Sequence, residues 1–459
     1  MQTATSRPTR VQELACFVCA TRYEQLSPAA AEQLKLRVLD ALGCAFGALD
    51  GGPPERIAEY VRELGGAPLA TLIGGGGKRS APDRAALRNG ALVRYLDFND
   101  SYLAPGETCH PSDNLAPVLA AAEYAHADGR TLLSALATAY QVQNRLSEVA
   151  PVRAKGFDHT TQGAYGAAAG AARALRLDQH QTANAIAIAG TTQNALRVTR
   201  TGALSNWKGL AYPFTASAAV QAALLAKLGI TGPREVFEGN KGFIETISGP
   251  FEIDWAAEDL ESVTRTILKR FNAEIHSQSA IEALLELRAQ NNLSPDQVSR
   301  IELETFQVAY DIIGGGEEGS KFEIATKEEA DHSLPYLLAV AMLDGQVLPE
   351  QYQPQRIVSA DVQDLLHRVT VTPAADLSGR FPAQHSARVR IHLHDGRVLE
   401  REQFDYEGFH TRPMSWQKVA AKFDRLAQAH LDDQRRAAIK TAVGDLDQIT
   451  VADLTTLLT

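Results

Sequence analysis

The chain has 459 residues and a formal net charge of −10, with 45% hydrophobic and 22% charged residues. That length exceeds what one hydrophobic core usually organises and predicts two domains, with the composition of a soluble globular protein. The acidic balance excludes a broad nucleic-acid surface, which needs a basic face, but it leaves room for a local cationic pocket that takes a small anion.

The N-terminal stretch "MQTATSRPTRVQEL" has no apolar secretory core, and no apolar run reaches the roughly 18 residues of a membrane span, so the expectation is a cytoplasmic protein with no membrane partner. Cys16 and Cys19 form a lone CxxC on an apolar helix face. Without a second pair it reads as structural rather than as a metal or redox site, and Cys44 and Cys109 do not complete a cluster. Ser27 and Pro28 mark a helix start, followed by Leu34, Val38, Leu42 and Phe46 at helical spacing. Gly74 to Gly77 lack the spacing and the strand-then-helix context of a phosphate loop and predict a surface turn.

Ala-rich segments such as "NLAPVLAAAEYAHADG", "AYGAAAGAARALRL" and "TASAAVQAALLAKLG" predict closely packed, buried helices. The pattern changes near residue 265. "SRIELETF" alternates at Ile301, Leu303 and Thr305, "RVTVTP" is a short β-branched run, and Val389, Ile391 and Leu393 lead to a hairpin at Asp395-Gly396. "SQSAIEALLELRAQN" and "DHSLPYLLAVAMLDG" read as helices between them, and Ser415 caps a last helical stretch. The expected fold is mainly α with an α+β part: a large all-helical domain over 1–265, a smaller α+β domain over 266–405, and a C-terminal return to the helical domain over 406–459.

Chemistry concentrates where the apolar helices break. "YLDFNDSYLAPGETCHPSDN" packs Asp97, Asp100, His110 and Asp113 around a Pro-Gly break, which suits a loop that carries side chains into a pocket. Its spacing matches no chelating pattern, so no metal is expected. "KGFDHTTQG" sets Asp158-His159 just ahead of a helix, "SNWKG" sets Lys208 among apolar residues, "LKRFNAEIHS" carries Lys269, Arg270 and His276, and "EEADHSLPY" carries His332 and Tyr336. Histidines move protons near neutral pH and lysines hold carboxylates. The residues by themselves therefore suggest acid–base chemistry on a small polycarboxylate.

These segments, in the same order through nearly the whole chain, resemble the MmgE/PrpD family. The resemblance implies a helical domain with an α+β lid, a homodimer, and catalysis without metal, iron–sulfur cluster or other cofactor. By position it assigns catalysis to Asp97, His110, His159 and Tyr336, and substrate binding to Ser101, Lys208, Lys269 and His276. Ser101 stands where the family often has Thr. The implied reaction is dehydration of 2-methylcitrate, a small tricarboxylate. Decarboxylation of cis-aconitate and epimerisation of a related polycarboxylate are the rival reactions. Asp97, His110 and His159 are alternative bases, with His159 and Tyr336 as alternative proton donors.

Overall fold

The computed structural model describes residues 7–459, so the N-terminal stretch read above lies partly outside them. The chain is mainly helical, with small sheets. Its first part runs through α1 (Arg10–Ala20), α2 (Pro28–Gly47), α3 (Gly52–Leu64), α4 (Pro82–Tyr95), α5 (Leu115–Tyr124), α6 (Gly129–Val149), α7 (Thr160–Ala174), α8 (Gln179–Thr192) and α9 (Trp207–Lys227). Local signals set several starts. Ser27 Oγ accepts the Ala30 N–H at 3.0 Å, and Asp128 and Asp178 do the same for α6 and α8.

Small residues determine how closely these helices approach. A Cβ added at Gly170 in α7 would lie 2.6 Å from Val118 of α5 and 2.8 Å from Ala139 of α6. A side chain there would push three helices apart, so the Ala- and Gly-rich composition is a packing requirement. The same core draws in the end of the chain. Val419, Phe423, Ile439 and Leu454, from helices Trp416–Ala427, Asp433–Gly444 and Val451–Leu457, pack in one cluster with Leu42 and Phe46 of α2.

A second core lies between α10 (Gln278–Gln290), helix Leu334–Asp344 and a four-stranded sheet. Its strands are β5 (Val298–Thr305), β6 (Val369–Pro373), β7 (Ala387–Leu393) and β8 (Val398–Gln403), in the order β6-β5-β7-β8. The β5–β6 pair is parallel, whereas β5–β7 and β7–β8 are antiparallel. Alternation sends Ile301, Leu303, Val389 and Ile391 into this core, and Gly396, at φ +88°, lies in the β7–β8 turn.

Two expectations need correction. Residues 1–265 are not wholly helical: β1 (Ala70–Thr71) pairs with β2 (Arg79–Ser80), and β3 (Tyr102–Ala104) with β4 (Glu107–Cys109). Ladders of two or three residues are too short to reveal a period of two. In addition, α9 is long and apolar enough to cross a membrane by length and composition, contrary to the reading that no run reaches that length. It packs against α4, α7 and α8, and 61% of its apolar window is buried inside the protein. Gly74 to Gly77 do form a turn, between β1 and β2.

One side chain from the C-terminal return ties the two loops that matter below. Lys422 Nζ lies 2.7 Å from Asp40 Oδ1 and donates to the carbonyls of Phe98 at 2.7 Å and Lys269 at 3.1 Å. Burial raises the Asp40 pKa, with Lys422 opposing it. Replacing Lys422 with Met leaves that buried carboxyl without its nearest cation. The expected loss is ~3–5 kcal/mol of unfolding free energy in urea at pH 7, and a loss under ~1 kcal/mol would show that the strut is dispensable.

Candidate active site

The segments picked out by sequence meet at one place because each lies at the end of an element whose other end is anchored in a core. Arg94 lies in the last turn of α4 and Asp97 just beyond it. His110 follows β4, His159 precedes α7, Lys208 lies in the first turn of α9, and His276 lies in the turn leading into α10. Asp331 and His332 sit between the short helix Lys327–Ala330 and helix Leu334–Asp344.

Asp97 is the hub. Its Oδ1 receives Arg94 at 2.6 Å and Lys269 at 2.7 Å, and Lys208 Nζ is 3.4 Å from Oδ2. Lys269 also donates to the Asp97 carbonyl at 2.7 Å, and Asp97 itself has a left-handed backbone, φ +56°. Burial by itself would raise the Asp97 pKa, but Arg94, Lys269 and Lys208 outweigh it and hold the carboxyl well below its usual range. Asp331 repeats the arrangement, with Lys208 and Lys327 each at 2.6 Å and His332 Nδ1 also at 2.6 Å. Four cations thus converge on two carboxylates.

The histidines are wired differently. Nδ1 of His110 lies 2.8 Å from the Asp100 carbonyl and 3.1 Å from Ser101 Oγ. A carbonyl only accepts, so this nitrogen carries the hydrogen and Nε2 keeps its lone pair. His159 Nδ1 lies 3.1 Å from Asp158 Oδ1, Asp158 is held by Arg200 at 2.8 Å, and His159 Nε2 has no hydrogen-bond partner. The two rings meet edge to face with centroids 5.4 Å apart. Arg94, Asp97, Lys269 and the four histidines His110, His159, His276 and His332 line a common cavity.

Such a constellation, spread over both cores, can be compared with known proteins. Models described as the MmgE/PrpD N-terminal domain and the MmgE/PrpD C-terminal domain match residues 12–256 and 271–448. The chain belongs to the MmgE/PrpD family. It is 27% identical over 418 residues to a 2-methylcitrate dehydratase of Cupriavidus necator, covering 85% of this chain and 84% of that protein. It is 27% identical over 416 residues to the 2-methylcitrate dehydratase of Escherichia coli K12, with 85% and 84% covered. It is also 24% identical over 462 residues to the cis-aconitate decarboxylase of Mus musculus, with 95% and 91% covered.

In this MmgE/PrpD chain, Asp97, His110, His159, Lys269 and His276 line the cavity, and Lys208 stands behind Asp97. Two residues assigned from the sequence fall elsewhere. Tyr336 is buried in the second core, where its hydroxyl donates to the Gln351 carbonyl, so it is withdrawn as a proton donor. Tyr336 lies on a buried helix, whereas His332, in the turn before that helix, reaches the cavity. Ser101 is fully buried against His110 and orients that ring rather than lining the cavity. Sequence reasoning did not single out Arg94, Arg200 or Asp331.

Asp97, Asp331 and His332 offer ligand atoms within 4.8 Å of one another. Arg94, Lys208, Lys269 and Lys327 already occupy those carboxylates, and a divalent cation would add charge where positive charge is in excess. All four cavity histidines are pushed below their ordinary value by burial, His276 to about 3, with Arg153 and Lys269 adding repulsion.

The unfolded chain protonates His276 near the ordinary value of 6.5 and the folded chain does not. The unfolded state therefore binds the extra proton between about pH 6.5 and 3. The stability tied to neutral His276 is lost as the pH falls through that window. His276→Phe removes this penalty, so its stability relative to wild type should improve by about 2 kcal/mol between pH 7 and 5. Urea denaturation at both pH values checks this, and an unchanged difference would contradict it.

Proposed function

We propose that the chain is a hydro-lyase that dehydrates 2-methylcitrate to 2-methyl-cis-aconitate, within propionate catabolism, by acid–base catalysis without a metal. The observation that carries this reading is a cavity holding two histidines, each with one ring nitrogen tied down and the other unengaged, beside an excess of cationic groups. The names of the curated relatives support the substrate.

Lys269, Arg94 and Lys208 attract the substrate carboxylates, and Asp97 keeps those cations in place. Asp97 is a poor base because three cations stabilise its ionised form. His110, neutral with its lone pair on Nε2, takes the proton from the carbon next to a carboxylate. That electron pair becomes the C=C bond as the C–O bond on the neighbouring carbon breaks. His159 delivers a proton to the departing hydroxyl, which leaves as water. Asp158 favours the imidazolium this requires, and the bound trianion adds to that bias. The cations offset the charge that grows on the carboxylate as the proton leaves. The second, α+β part acts as a lid that excludes water from these steps.

EDTA-treated protein should convert 2-methylcitrate with loss of water, read by NMR, and both His110→Ala and His159→Ala should lower kcat by about 10²–10⁴-fold. Near wild-type turnover in both variants would refute the placement. Itaconate formed from cis-aconitate would move the reaction to decarboxylation.

We also infer a homodimer. The support is the exposed apolar side of α9, where Trp207, Phe214 and Leu225 face outward, continued by Leu228 just past its end with 83% of its surface exposed. Patches of this kind mark interfaces. Phe214→Glu together with Leu228→Glu should yield a monomer in sedimentation, and an unchanged mass would reject this face.

A further inference from the structure

The cavity around Asp97 holds only about 60 Å³ of open space, room for a few waters and far below the ~300 Å³ at which small-molecule pockets begin. A cavity of about 630 Å³ lies next to it. The two share three lining residues: Arg153, Arg197 and Glu318. Glu318 Oε1 receives Arg153 at 3.2 Å and Arg197 at 2.8 Å. Among the described residues it is the one carboxylate paired with either arginine. This ion-paired trio is therefore the wall between a chamber too small for substrate and a space large enough to admit it.

The two sides of the wall are anchored unequally. The arginine backbones are tied to the helical part, Arg153 N–H to Glu107 at 3.1 Å and Arg197 N–H to the Gly156 carbonyl at 2.9 Å. Glu318 sits on the glycine-rich loop "GGGEEG" (residues 314–319), where its N–H bonds only within the same segment, to the Asp311 carbonyl at 2.9 Å, and Gly315 and Gly319 have left-handed backbones at φ +104° and +90°. Such glycines let a loop re-orient at little steric cost. We infer that Glu318 is an internal stand-in for a substrate carboxylate: the loop swings away, and Arg153 and Arg197 receive a carboxylate of the incoming anion in its place. Two planar guanidiniums sharing one carboxylate oxygen make a site shaped for carboxylate recognition. The exchange leaves the number of buried ion pairs unchanged while opening the chamber. It rests on the proposed polycarboxylate substrate, but not on the reaction.

The test is calorimetric binding of tricarballylate, a tricarboxylate without a hydroxyl, which cannot be dehydrated. Its binding therefore reads the exchange, whereas turnover of 2-methylcitrate by wild type reads the reaction, and either can fail alone. Removing the competitor, Glu318→Ala, should tighten Kd at least fivefold, and Arg197→Met should weaken it at least tenfold. In the double variant the gain from Glu318→Ala should vanish, because its partner is gone. Glu318→Asp, which keeps the charge, should bind like wild type and controls for folding of the loop. An unchanged or weaker Kd for Glu318→Ala overturns the inference, as does a gain that persists without Arg197. Absence of binding in wild type and every variant overturns it as well.

Discussion

A buried carboxylate surrounded by cations organises this molecule. Asp97 accepts from Arg94 of its own helix end, from Lys269 in the segment leading to the second core, and stands beside Lys208 at the start of α9. An ionised carboxylate costs several kcal/mol to bury unless charged donors surround it, so three separately anchored chain segments must meet there. The Lys269 contact to the Asp97 carbonyl and the left-handed Asp97 backbone fix the loop's path. Lys422 reinforces the same junction from the C-terminal helices by bonding to the carbonyls of Phe98 and Lys269.

The same arrangement separates two kinds of group that a less ordered pocket would mix. The cations are clamped by Asp97 and Asp331, whereas His110 and His159 are tied to a carbonyl and a carboxylate that leave one ring nitrogen of each free. Burial lowers the pKa of both imidazoles, and the nearby positive charge works in the same direction. An acidic protein with a net charge of −10 thus carries a cationic interior site, with repulsion of histidine protonation and attraction of anions arising from the same lysines and arginines.

The position of the cavity between the two cores has a consequence for motion. Its walls come from the end of α4, from β4 and from loops of the helical part on one side, and from the Ile312 to His332 region on the other. Each side is rigid because its own core is closely packed. The contacts across the seam include the ion pairs of Asp97 with Lys269, Lys208 with Asp331, and Glu318 with Arg153 and Arg197.

Much of this was legible in the residues alone. Small residues at helical spacing determined a bundle, since only alanine and glycine permit the separations seen around Gly170, and period-two alternation determined β5 and β7. Ser27 and Asp395-Gly396 carried local signals strong enough to place a helix start and a turn. Asp97, His110, His159, Lys208 and Lys269 stood out together, because several charged or proton-transferring groups recur in breaks between apolar helices. Only the tertiary structure decided which of these groups meet. Tyr336 and His332 are four residues apart, yet one points into a core and the other into the cavity, because His332 lies in the turn before the helix that carries Tyr336. Asp331 looks like an ordinary charge until folding brings Lys208 from 123 residues away, as Asp97 does until Lys269 arrives from 172 residues away. Those pairings are long-range, and no local pattern encodes them.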